Sequence, residues 1–130
     1  MDIKMVQECF EYALAGEITF QEHANRLAKA GTERYTGDLI AMKKSYYGLN
    51  DEIHIVPLTC DAVKVPTNFN NKEISNAIND SLQNRIDYRT FLHRAMSAGC
   101  SHYEVFLRGK KAIYLGRDGS LHVENFPQTK

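Results

Sequence analysis

A chain of 130 residues with 43% hydrophobic content is of single-domain size and can bury a core without disulfides or metals. Sixteen basic residues balance 16 acidic ones, so no global field draws the chain to nucleic acid or to an anionic membrane. No apolar run approaches the roughly 18 residues of a membrane span, the first residues read as an amphipathic helix and not a signal peptide, and three irregularly spaced cysteines make no disulfide framework; the expected setting is cytoplasmic.

Residues 3–15 place Ile3, Val6, Phe10, Ala13 and Leu14 on one helical stripe. Asp2 is the expected N-cap, and Gly16 the left-handed residue that ends the helix. Thr19 and Glu22 form a capping box for a second, short helix that stops at Gly31. Ile18 and His23 stand where a hydrophobic staple falls, so His23 is expected to pack and to find a hydrogen bond at the helix start. Three strands follow, over residues 33–39, 42–47 and 52–56, with turns at Ile40-Ala41 and Gly48–Asp51.

The pattern then repeats. Adding 68 carries residues 6–58 onto 74–126 without a gap: Leu14 meets Leu82, Arg26 Arg94, Gly31 Gly99, Tyr35 Tyr103, Tyr46 Tyr114, Gly48 Gly116 and His54 His122. The second helices span residues 72–83, ended by Asn84 in place of Gly16, and a stretch capped by Asp87 with the staple Ile86 and Phe91. The matching strands are 101–107, 110–115 and 120–125. Residues 59–73 connect the halves, with Val63 and Val65 offering a short edge strand, and the tail beyond Pro127 is expected to fray.

The fold class this implies is α+β, one domain over 1–130. Two ααβββ repeats are related by a pseudo-two-fold axis, their helices packed on antiparallel sheet, either one continuous sheet or two adjoining ones. Val6, Phe10, Leu14, Leu27, Ile74, Ile78, Leu82, Leu92 and Met96 are the expected core.

Candidate chemistry centres on tyrosine and histidine. A three-residue hairpin with a glycine bulge at Gly116–Gly119 sets Tyr114 opposite His122, and its counterpart sets Tyr46 opposite His54. Such pairs bind anions or pass protons, and they also pack as ordinary cross-strand neighbours. Tyr35 and Tyr103, with Arg34 and His102 beside them, extend the set into an aromatic and cationic sheet surface. Lys43-Lys44 and Lys110-Lys111 recur at one hairpin, where lysine on an edge strand blocks edge pairing more often than it touches phosphate. His93, Cys100 and His102 lack metal-ligand spacing, Cys60-Asp61 lacks the surroundings that activate a thiol, and no cofactor motif is present.

The runs Ile18-Thr19-Phe20, Leu27 to Gly31, Glu33-Arg34-Tyr35 and Lys44 to Gly48, with Tyr103-Glu104-Val105, Tyr114-Leu115-Gly116 and His122-Val123-Glu124, resemble the YbcV-like bacterial domain of unknown function, whose members are often labelled phage envelope protein. The resemblance implies a small single-domain protein and no catalytic residue or cofactor. The function expected is a non-enzymatic binding or protein-interaction module, self-associating into a homo-oligomer or holding a protein partner. The alternative is a small-ligand binder or enzyme with a pocket between the repeats lined by Tyr46, His54, Tyr114 and His122; nucleic acid is the least favoured partner.

Overall fold

The computed structural model describes residues 1–127. Its elements are α1 (Ile3–Leu14), α2 (Phe20–Lys29), β1 (Thr32–Asp38), β2 (Lys43–Gly48), β3 (Ile53–Pro57), α3 (Asn71–Leu82), α4 (Tyr88–Ser97), β4 (Cys100–Phe106), β5 (Lys111–Gly116) and β6 (Leu121–Asn125). Each element of the first half recurs 68 positions on at the same length. The backbone exceptions recur too. Gly16 and Asn84, Gly31 and Gly99, Met42 and Lys110, and Asp51 and Gly119 all carry positive φ.

Helix starts follow the caps. The side chains of Asp2, Thr19, Asn70 and Asp87 accept from the backbone N–H of Met5, Glu22, Glu73 and Thr90, each contact worth about 1 kcal/mol. That bond from Thr90 is the main reason the Asp87 carboxyl is held below its ordinary pKa. In the first β-hairpin the Asp38 carboxylate takes the N–H groups of Ile40 and Ala41. The chain therefore completes its turn through a left-handed Met42, and β2 starts one residue later than residues 42–47 implied; β5 does the same after Lys110.

All six strands form one antiparallel sheet in the order β3-β2-β1-β4-β5-β6. The central pair, β1 with β4, sets Thr36 opposite Glu104, two positions 68 apart. Outward from that pair the strands follow in the same sequence on both sides, β1-β2-β3 and β4-β5-β6. The four helices pack on the sheet, and Val6, Leu27, Ile74, Leu92 and Met96 are essentially inaccessible between them and the strands. Burying each such side chain is worth about 2 kcal/mol.

Three expectations are corrected. Leu82 is only half-buried, because it borders a cavity described below. Val63 and Val65 form no strand. Val65 is buried in the connector, whose carbonyl there accepts from Arg117 Nε at 2.9 Å, so backbone pairing is replaced by a side-chain tie. Lys44 does not guard an edge: β3 covers β2, and the Lys44 side chain is fully buried on the inner face of the sheet.

Candidate functional site

Alternation along the strands puts two rows of side chains on the inner face. One row, read across the sheet from β3, is Val56, Lys44, Gly37, Tyr103, Tyr114, His122; the other is His54, Tyr46, Tyr35, Val105, Ala112, Glu124. Adding 68 turns half of each row into half of the other. Tyrosine and histidine coincide under that operation. Three positions do not: Lys44 matches Ala112, Gly37 matches Val105, and Val56 matches Glu124.

The four tyrosines on the inner face of the sheet form a continuous aromatic floor. Ring centroids are 5.6 Å apart for Tyr46 and Tyr35, 6.4 Å for Tyr35 and Tyr103, and 5.8 Å for Tyr103 and Tyr114. All four are buried. The aromatic sheet surface expected toward solvent thus faces inward, while Arg34 and His102 project from the opposite face. Arg34 there lies 3.9 Å over the Tyr47 ring and pairs with Glu104 at 2.6 Å. Gly37 is forced by the floor: a Cβ at that position would collide with the Tyr103 ring. Tyr103 in turn shares a 2.7 Å hydrogen bond with the hydroxyl of Tyr88 on α4.

The register expected for the Tyr/His pairs is present, with Tyr46 opposite His54 and Tyr114 opposite His122. The two pairs do not converge. They lie on opposite wings of the sheet with β1 and β4 between them. His54 Nε2 donates to Gln7 Oε1 of α1 at 2.7 Å, and His122 Nε2 donates to Glu124 Oε2 at 2.8 Å.

What the fold does build is a cavity of about 90 Å³ between the sheet and the helices. Tyr35, Tyr103, Val105, Ala112 and Tyr114 form its floor, and Ala13, Ile78 and Phe91 its apolar walls. Phe20 and Phe126, edge to face at 5.2 Å, stand at the rim with Asp87 and Glu124. Both halves contribute. Of the six candidate residues, Tyr35, Tyr103 and Tyr114 line the cavity; Tyr46, His54 and His122 do not. His23 also lines it, buried, with no hydrogen-bond partner for Nε2 among the described residues. The bond expected for this histidine at the helix start is not made. Burial, and then the nearby Lys44 charge, hold its imidazole well below the usual pKa, so it is neutral.

Lys44 is the feature that the sequence reading missed. Its ammonium is fully buried and has no hydrogen-bond acceptor among the described residues. Instead it sits over aromatic rings, 4.4 Å from the Tyr35 centroid, 4.6 Å from Tyr88, 5.1 Å from Tyr46 and 5.8 Å from Phe10. Ring faces attract a cation and offset part of the lost hydration. Burial still lowers its pKa to about 7. The signal available in the sequence was parity: Lys44 is two residues from Tyr46 and so shares its face.

Among the described residues no group of three His, Cys, Asp or Glu side chains is arranged to hold a metal, and no helix is long and apolar enough to cross a membrane. The site is a partly open, aromatic-floored cavity set between a helical layer and an antiparallel sheet. A family model described as "Protein of unknown function (DUF1398)" matches residues 1–57, the span from α1 to the end of β3. No curated protein matches the chain.

Proposed function

We propose that the protein is a non-enzymatic small-ligand-binding domain and that the tyrosine-floored cavity is its site. The observation that carries this reading is the cavity itself. Apolar walls surround a few residues that carry polar groups, Tyr88 and Tyr103 with their paired hydroxyls and the buried His23 among them, which is the composition of a ligand site. The resemblance to the YbcV-like domain brings no activity with it, so the reading rests on the cavity. Filling it tests the reading. Small fragments should shift the amide resonances of β4 and β5, and Ala112→Leu, which projects into the cavity from its floor, should abolish those shifts while thermal unfolding stays cooperative. Shifts that persist in the variant would place the ligand elsewhere.

A second reading, self-association, is favoured by the uncovered face of the sheet. Ile53, Ile55, Leu121 and Val123 lie on that face, each close to half exposed, at its two edges. Unpartnered apolar groups of this kind mark interfaces. Light scattering after size exclusion should then give a dimer that Ile55→Lys dissociates; a monomer at high concentration removes this reading.

A further inference from the structure

We propose that the cavity takes a short alkylammonium ion, the chemistry that the chain's own Lys44 places at the matching position of the other half. The proposal rests on the cavity being a ligand site and names what enters it.

Aromatic rings surround Lys44. Its ammonium lies over Phe10, Tyr35, Tyr46 and Tyr88. The residues 68 positions on are Ile78, Tyr103 and Tyr114 for the first three, and Phe20 stands 68 before Tyr88. All four of these line the cavity. At its floor, where Lys44 would recur, stands Ala112, four side-chain heavy atoms shorter. In the first half an aminobutyl chain fills an aromatic box. In the second half the same framework holds the box, and alanine leaves it unfilled.

Charge points the same way. Beside Lys44 in the cross-strand register stands Val56; beside Ala112 stands Glu124. Among the described residues, Glu124 and Asp87 are the carboxylates of the lining, and no lysine or arginine belongs to it. His23 is neutral. A box of ring faces with a carboxylate at its rim favours an organic cation over a neutral or anionic molecule. Lys44 lies over the Tyr35 and Tyr88 rings but is not among the residues that line the cavity, so its side chain does not occupy the same box. Size limits the ligand further. A dry cavity of roughly 150 Å³ admits benzene, and this one, at about 90 Å³, suits a short unbranched chain.

The test uses n-butylammonium, n-butanol and butyrate as probes, measured by calorimetry and by amide shifts in β4 and β5 at pH 7.5. Butylammonium should bind, butanol about tenfold more weakly, and butyrate not measurably. Glu124→Gln should weaken butylammonium about tenfold and leave butanol unchanged. Ala112→Lys, which supplies the aminobutyl chain covalently, should abolish butylammonium binding; if that variant does not fold, Glu124→Gln decides. Butanol or butyrate binding as tightly as butylammonium overturns the proposal and leaves the cavity reading standing. If none of the three probes binds, the amine proposal is overturned, and a general fragment screen then decides the cavity reading separately.

Discussion

Between pH 7 and pH 9 the wild-type protein should gain about 2 kcal/mol of stability relative to its Lys44→Met variant, and the variant should be the more stable of the two at pH 7 by about 3–5 kcal/mol. The fully buried Lys44 holds a pKa of about 7 in the fold, against 10.5 as its ordinary value. Below pH 7 both states carry the charge and the penalty is constant. From pH 7 to 10.5 the unfolded chain binds a proton that the native state has released, so stability rises with pH. Desolvation is the cause, and the groups that face the ammonium offset only part of it: Tyr35, Tyr46 and Tyr88 are themselves buried with raised pKa values, His23 is neutral, and Cys9, which favours the charged lysine, has its own thiol pushed up by burial. The wild type alone will not show the full rise. The buried thiols, Cys100 pushed up to about 12 among them, stay protonated in the fold while the unfolded chain ionises near pH 9, and they lower stability there. The difference between wild type and variant cancels those contributions. Urea titrations at pH 7, 8 and 9 measure it; parallel curves would mean that the ammonium is hydrated or paired in solution.

Much of the fold was legible because it rests on local chemistry that each half states separately. Gly16 and Asn84 solve one backbone problem with the two residue types that enter the left-handed region cheaply, and Asp51 and Gly119 do so again at the hairpins. The Tyr/His register followed from that bulge alone. What was not legible depends on strand order. Lysine on β2 reads as edge protection until β3 is known to cover it. Likewise Tyr35 and Tyr103 read as a half-exposed surface until the helices are known to lie on their side. The two histidines could be imagined converging only while β1 and β4 were not yet between them. Of the residues that line the cavity, Tyr35, Tyr103 and Tyr114 were singled out as ligand-binding candidates, and Ala112, Tyr88 and Glu124 were not. Aligning the halves carried a signal for Ala112 and Glu124, since Lys44 over Ala112 and Val56 over Glu124 are, with Gly37 over Val105, the breaks in an otherwise matched inner face.

Gly99→Ala should destabilise the protein by about 3 kcal/mol or more, whereas Gly31→Ala, at the corresponding position of the first half, should cost about 1 kcal/mol. The backbone is alike at the two sites, φ +98° and +87°, so the strain of a Cβ in the left-handed region is common to both. The surroundings differ. At Gly31 the nearest atom to a new Cβ is the Met1 Cα at 3.4 Å, an ordinary contact. At Gly99 the Cβ falls on the carbonyl oxygen of Asn68 and comes within 2.9 Å of the Phe69 Cα. Neither of those atoms can turn aside, because both are main chain, and the Asn70 N–H just beyond them donates to the Ala98 carbonyl at 2.7 Å. Relief requires lifting the end of the connector off α4, which also withdraws Phe69 from Gly116 at the end of β5. At about 4 °C per kcal/mol for a chain of this length, the melting temperature should fall by roughly 4 °C for Gly31→Ala and by 12 °C or more for Gly99→Ala. Equal losses at the two glycines would show that the connector does not press against the helix end, and the pairing of Asn70 with Ala98 would fall with that contact.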